Sequence, residues 1–244
     1  MEKPDITMFF PAYNERDNIP KLLDSAEKVL KKFAGNYEML VVVYEGSTDG
    51  TIGIVKKLSA KNRKVRLIIQ PKEKKGIGYA KIMGFANAKY PYIFYADADN
   101  QFNLNDFRKF VPYIGKYDII AGYRIERHDP KTRVLVSKIY NAIMRFLMGA
   151  KEKDLDCAFR LVNREVIKNI NLVCRTGLAT TEMLAKARRK GFKIKEIGVS
   201  HYPRTLGKPV FEWEIGLNIP KPKVVLDILK ETLKLWVDIY IKRK

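Results

Sequence analysis

The chain has 244 residues, enough for one large domain or a domain with an appendage, and its 47 Lys+Arg against 27 Asp+Glu give a formal net charge of +20. An apolar content of 46% excludes a disordered polycation, because that much apolar surface can offset the entropy of ordering the chain. The longest stretch without Lys, Arg, Asp or Glu is the nine residues Ile6 to Asn14. A spanning helix needs roughly 20 apolar residues, so no transmembrane segment is expected.

The run Ile6-Thr-Met-Phe-Phe, ending at Pro11, reads as a buried strand. Asp17 or Asn18 then caps a helix with Pro20 in its first turn, and Leu22, Leu23, Ala26, Val29, Leu30 and Phe33 recur at helical spacing. Met39-Leu-Val-Val-Val is a second strand, apolar on both faces as the inside of a parallel sheet requires. The turn Gly46-Ser-Thr-Asp-Gly50 leads into a helix carrying Ile54, Val55 and Leu58. A third strand is expected at 65–69, a helix at 77–89, a fourth strand at 92–96 and a fifth at 118–123. Strands alternating with helices mean βαβ units on a parallel sheet. Beyond residue 125 the pattern gives a helix at 134–148, a strand at 159–162, a helix at 181–190, a strand at 193–201 and a last helix from about Val224. The expected division is an α/β domain over residues 1–210 and a C-terminal amphipathic helical extension over 211–244.

Positive charge is clustered. Lys56–Lys75 holds nine basic residues and one acid, and Lys186–Lys208 holds eight and one. Arg124–Lys153 holds eight and three, and Lys221–Lys244 seven and three. Such clusters suit nucleic acid, an anionic membrane surface or a phosphorylated substrate, and equally a solvated lysine-rich surface. The two cysteines, Cys157 and Cys174, make neither a disulfide framework nor a zinc site, and the start Met1-Glu-Lys-Pro-Asp lacks a signal peptide's apolar core, so a cytoplasmic protein is expected.

In parallel α/β sheets ligands bind beyond the carboxyl ends of the strands. Three polar signatures fall there: Pro11-Ala-Tyr-Asn-Glu15, Glu45-Gly-Ser-Thr-Asp49 and Asp97-Ala-Asp-Asn-Gln101. In extended chain residues i and i+2 point the same way, so Asp97 and Asp99, with Gln101 in register, make a hard oxygen site for Mg²⁺ or Mn²⁺. Gly76-Ile-Gly78 opens a helix beside Lys72, Lys74 and Lys75, but lacks the dinucleotide fingerprint and the P-loop Gly-Lys-Ser/Thr.

Taken together, these motifs resemble the family 2 glycosyltransferases of the GT-A fold, in the family's order and spacing, most closely the polyprenyl-phosphate or dolichol-phosphate mannose synthase-like branch. Further along, Arg133-Val-Leu-Val-Ser137 with Asn141 and Arg145 resembles that branch's R-x-x-x-S-x-x-x-N helix. Asp156-Cys-Ala-Phe-Arg160 resembles its D-x-x-S-G-F-R segment with Ala158 where Gly is usual, and Arg204-Thr-Leu-Gly-Lys208 its R-x-x-G-K loop. The branch usually carries two aspartates where this chain has Tyr44-Glu45.

The resemblance implies a mostly parallel nucleotide-binding sheet and inverting transfer of a sugar from GDP-mannose or a UDP-sugar to a polyprenyl or dolichyl phosphate, at the cytoplasmic face of a membrane. It implies that Pro11, Tyr13, Glu15, Glu45, Asp97 and Arg124 bind the donor, with Asp97, Asp99 and Gln101 on the metal. Arg133, Ser137, Arg160 and Arg204 are the acceptor-phosphate candidates, and Asp99, Glu182 and Arg133 the catalytic ones. A sugar hydroxyl as acceptor would need a general base, for which Glu182 is the candidate, whereas a lipid phosphate with a second pKa near 6 is already largely dianionic at pH 7. The C-terminal helix, with Lys230, Lys234 and Lys242–Lys244 among its apolar residues, can rest on an anionic bilayer, pack on its own domain or meet a partner. Transfer to a glycan or glycolipid hydroxyl, a nucleic-acid-binding module and a catalytically lapsed scaffold are the competing readings.

Overall fold

The computed structural model describes residues 2–126, 131–207 and 222–241, the side chains of 131–133 and 222–225 excepted. Among these residues seven strands form one sheet: β1 (Ile6–Ala12), β2 (Tyr37–Tyr44), β3 (Val65–Gln70), β4 (Tyr92–Ala96), β5 (Ile119–Arg124), β6 (Phe159–Asn163) and β7 (Ile194–Val199). Their order is β3-β2-β1-β4-β6-β5-β7. The helices are α1 (Ile19–Phe33), α2 (Thr51–Lys61), α3 (Ile77–Asn87), α4 (Lys131–Met148), α5 (Arg164–Asn169), α6 (Ala179–Arg189) and α7 (Pro222–Tyr240). The boundary expected at residue 211 lies outside the described residues.

The apolar runs sit where a sheet covered on both faces needs them. Every residue of β1 is buried, as is Glu38–Val43 of β2. Strands β1 to β4 pair in parallel. Strand β6 inserts between β4 and β5 antiparallel to both, while β7 pairs in parallel with β5, so the sheet is mostly parallel as expected. Phe159 at the start of β6 packs against Phe94 and Phe110, with ring centroids 4.7 and 5.3 Å apart, so an aromatic cluster locks the reversed strand in place.

Proline does not end β1. The β1–β4 ladder stops at Phe9↔Tyr95, whereas β1 continues beside β2 to Ala12↔Val43. Pro11 therefore lies where β1 has lost its β4 neighbour, and a missing N–H is tolerated on that side. The parting of β1 from β4 opens a crevice at their carboxyl ends, the point where strand order switches direction.

The turn before α3 shows why glycine is needed there. Gly76 has φ 129°, and the Gly78 N–H donates to the Arg175 carbonyl at 2.8 Å. A Cβ at either position would run into backbone of Cys174 or Arg175. From the other side Glu231 of α7 accepts hydrogen bonds from the Arg175 N–H at 2.9 Å and the Thr176 hydroxyl at 2.7 Å, which ties α7 to the same loop. Gly78→Ala should therefore cost about 1–3 kcal/mol by overpacking, read as a fall in Tm of several degrees. A Tm within a degree of the parent would show that the loop yields freely.

Candidate active site

Three segments converge at the mouth of the crevice. The turn after β1 and the segment after β2 hold each other: Glu15 N–H donates to Thr51 Oγ1 at 2.9 Å and Arg16 N–H to the Asp49 carboxylate at 3.0 Å, while Thr48 N–H donates to the Asn14 side-chain oxygen at 2.8 Å. Asn14 and Asn100 take positive φ, 54° and 59°, a conformation that asparagine tolerates better than most residues. Asn18 stands at the start of α1 but makes no side-chain cap. Its amide instead donates to Glu15 at 2.7 Å, and its side-chain oxygen accepts from Asn100 at 3.0 Å, so a residue expected to cap a helix fastens two site segments together.

A third segment arrives from a hundred residues further on. His201 bridges Phe102, Tyr202 N–H donates to the Gln101 carbonyl at 2.7 Å, and the Gln101 amide donates to the Tyr202 carbonyl at 3.0 Å. This zipper lays Arg204 across the crevice. Its guanidinium is 2.7 Å from Glu15 and 3.6 Å from Asp99, and its Nε donates to the Leu206 carbonyl at 2.8 Å.

The electrostatics follow from three carboxylates in a confined space. Burial, and then the neighbouring Asp99, push Asp97 up to about 6, against the opposing pull of Lys81 and Arg124. Burial also lifts Glu15 above the usual carboxylate range, although Arg204 and Asn18 hold it down. Lys81, on the inward side of α3, donates to Thr180 at 2.5 Å and is drawn down to about 8, chiefly by burial. Sequence reasoning passed over Lys81, yet its place at helical spacing between Gly78, Gly84 and Phe85 marks a lysine on a core-facing stripe.

The remaining expected residues divide. Pro11 is buried in β1, and Tyr13 sets its ring edge-on to Tyr44 with centroids 5.7 Å apart. Glu45 is exposed and accepts the Lys72 N–H at 3.2 Å. Arg124 is clamped by Asp154 through a two-pronged pair at 2.7 and 2.8 Å, and its basicity is raised by that partner despite burial. Ser137 donates to Asp156 at 3.1 Å, and Asn141 braces both α4 and the Leu155 N–H.

Two candidates are not brought to the crevice surface. Arg160 is fully enclosed, donating to the carbonyls of Asp154, Leu155 and Cys157 at 2.8–3.0 Å, so its guanidinium presents no open face to a phosphate. Glu182 is fully enclosed too. It accepts from the Val173 and Cys174 N–H groups and from Lys186 at 2.7–3.0 Å, holding the loop before α6 rather than facing a substrate. The side chain of Arg133, like Lys208, lies outside the described residues.

Among the described residues no group of three or more His, Cys, Asp or Glu is placed to hold a metal ion. Asp97 and Asp99 nevertheless fit Mg²⁺ or Mn²⁺, which need few protein ligands when phosphates complete the shell. The anionic pressure that lifts Asp97 is the condition a divalent cation relieves.

A mostly parallel sheet flanked by helices, with carboxylates gathered at its switch point, is the GT-A fold. The chain belongs to glycosyl transferase family 2, whose description it matches over residues 7–170. Curated relatives include a dolichyl-phosphate beta-glucosyltransferase of Saccharomyces cerevisiae, 28% identical over 80% of this chain and 66% of that protein. Another is an undecaprenyl-phosphate 4-deoxy-4-formamido-L-arabinose transferase of Pectobacterium atrosepticum, 25% identical over 88% of this chain and 65% of its own. The chain thus spans just under two thirds of these two relatives. Among solved structures, glucosyl-3-phosphoglycerate synthase of Mycobacterium tuberculosis, in complex with Mn²⁺, UDP and glucosyl-3-phosphoglycerate, superposes with a TM-score of 0.67 at 16% identity, covering 96% of this chain and 79% of that one.

An acid whose folded pKa is raised from 3.8 to about 6 destabilises the fold once it ionises. Its favourable contribution is complete below about 3.8 and lost as pH rises through about 6. In chelator-treated protein Asp97→Asn should therefore raise Tm by a few degrees at pH 7.5, with the gain shrinking as pH falls from 7 to 4. A variant equally or less stable at pH 7.5 would show that Asp97 is not under that pressure.

Proposed function

We propose that this chain transfers a sugar, with inversion, from a nucleotide-sugar donor, GDP-mannose or a UDP-sugar, to a polyprenyl or dolichyl phosphate at a membrane surface. The observation that carries the reading is the convergence of Glu15, Asp97, Asp99 and Arg204 where β1 and β4 part. Relatives that act on dolichyl and undecaprenyl phosphate support the acceptor class. A fold neighbour solved with UDP and Mn²⁺ or Mg²⁺ supports the donor class.

Pro11, Tyr13, Glu15 and Glu45 line the nucleoside end of the crevice, where the Tyr13–Tyr44 pair supplies an aromatic wall. Asp97 and Asp99, with Gln101 beside them, would hold Mg²⁺ or Mn²⁺, which when bound neutralises the departing nucleoside diphosphate. Arg204 already neutralises Glu15 and Asp99, so its guanidinium can turn to a phosphate oxygen without entering from solvent. Arg124, fixed by Asp154, contributes positive field near Asp97 rather than a free fork. On the acceptor side Ser137 and Arg133 belong to α4, and Arg160 stiffens the Asp154–Cys157 turn behind Ser137.

An oxygen of the acceptor phosphate attacks the anomeric carbon as the bond to the diphosphate breaks. Because the dianion carries its own nucleophilic charge, no side chain has to remove a proton. Transfer to a sugar hydroxyl needs such a base, and Glu182, the candidate for it, has its oxygens occupied by Val173, Cys174 and Lys186. The nucleic-acid reading rested on charge alone.

No helix among the described residues is long and apolar enough to cross a membrane. In this proposal the protein meets its lipid from the cytoplasmic face as a peripheral protein, with α7 on the anionic surface or on a membrane-anchored partner.

Labelled GDP-mannose and UDP-sugars should yield an acid-labile glycolipid with polyprenyl phosphate and none with the free polyprenol. Asp99→Asn should lower kcat by about 100-fold or more. Glu182→Gln should lose stability, because a buried lysine is left without its anion, yet turn over within about tenfold of the parent per folded molecule as counted by circular dichroism. Transfer to a hydroxyl acceptor that Glu182→Gln abolishes in folded protein would reverse the choice of acceptor.

A further inference from the structure

Helix α4 has two sides of opposite character. Its inward side carries Ser137, Asn141, Met144 and Met148, all buried. Its outward side carries Leu135, Ile139, Ile143 and Phe146, exposed by 59, 52, 45 and 88%. At about 100° per residue these four fall within roughly a quarter of the circumference, on the side opposite the buried set. Four large apolar side chains aligned on an exposed helix are not scattered surface residues but a continuous stripe.

The charge on this helix is one-sided. Lys131–Met148 contains Lys131, Arg133, Lys138 and Arg145 and no acidic residue. Lys138 and Arg145 are exposed and flank the stripe.

Helix α7 repeats the pattern. Leu226, Leu229, Leu233 and Trp236 are exposed there, while Thr232, Leu235 and Ile239 are buried against the domain. The two helices approach at their C-terminal ends, where a Cβ on Gly149 would lie 3.3 Å from the Tyr240 hydroxyl. Behind them lies the wholly buried run Ala179–Ala187 of α6, touched from α4 by the Tyr140–Thr181 contact at 3.1 Å.

We propose that the outward face of α4, together with that of α7, is a docking surface for an anionic lipid bilayer. The occupant follows from charge. On α4 a second copy set face to face would bring the same cations and no anions to meet them, and on α7 the exposed Asp227 stands against Lys230 and Lys234, in a protein of net charge +20. An anionic headgroup layer matches the basic flank, and its acyl boundary takes the apolar stripe.

Depth fits as well. An interfacial helix sinks about 5–10 Å and is about 10 Å across, so the Ser137 side of α4 stays at headgroup level, where a lipid-borne phosphate lies. This placement rests on the reading of the acceptor as a polyprenyl phosphate; the docking surface itself does not.

The test uses the full chain and vesicles of phosphatidylcholine with and without phosphatidylglycerol. The parent should co-sediment with the anionic vesicles and far less with the neutral ones. A double variant, Ile143→Ser with Phe146→Ser, should bind anionic vesicles at least about tenfold more weakly, because two large apolar side chains no longer enter the acyl boundary. Its transfer to a short, water-soluble prenyl phosphate should be unchanged, while transfer to long-chain acceptor in vesicles falls. Unchanged vesicle binding would overturn the proposal. So would a parent dimer that the double variant turns into a monomer with no effect on vesicles, since the face would then serve a second copy. A parent that ignores the soluble prenyl phosphate yet loses vesicle binding in the double variant would overturn the acceptor reading and uphold the docking surface.

Discussion

The structure turns on an excess of negative charge at one place in a strongly basic protein. Glu15, Asp97 and Asp99 meet where the β1–β4 ladder gives out after Phe9↔Tyr95. Carboxylates so confined must be protonated or matched by cations, and the fold supplies three. Lys81 is buried on α3, Arg124 is steered by Asp154, and Arg204 is delivered by the Gln101–Tyr202 zipper. Each costs something to place: a lysine kept from water, an arginine committed to an aspartate, a loop folded back over the strand ends. A crevice meant only to be filled would use apolar residues, so the expense points to a ligand that brings its own charge.

The +20 charge thereby loses its uniformity. Arg160 and Arg124 are internal ties, held by backbone carbonyls or by Asp154, and contribute little to what a partner meets. Arg204 belongs to the crevice. The basic residues of α4 and α7 border exposed apolar stripes, whereas the lysines around residues 56–75 have no such neighbours and remain solvated surface. One formal number therefore covers structural, site-facing and surface charge, and only the last can steer a membrane or a phosphorylated substrate over distance.

Much of this was legible in the sequence. The apolar run of β2 and the Tyr92–Ala96 strand marked the sheet, and Asp97-Ala-Asp99 marked the strand end, although these aspartates follow β4 in a turn and not in the extended chain that the spacing argument assumed. Three things were hidden for physical reasons. The antiparallel direction of β6 depends on which neighbours Phe159 packs against, and a strand's pattern is the same read in either direction. Arg160 and Glu182 matched family positions, but whether such a side chain faces a substrate or its own backbone is decided by loop geometry that spacing does not encode. Asn18 looked like a helix cap because helix starts favour asparagine, and tertiary contacts with Glu15 and Asn100 outbid that local preference. Lys81 is the opposite case: the core-facing spacing was visible, and only the partner for its charge was not.

Calorimetric titration of UDP and GDP into chelator-stripped protein, with and without Mn²⁺, tests the crevice most directly. The expected result is that one of the two diphosphates binds tightly only with Mn²⁺, and that Asp99→Asn abolishes the difference. Equal binding with and without Mn²⁺, or an undiminished metal dependence in Asp99→Asn, would contradict the assignment of these carboxylates to a metal-bridged diphosphate.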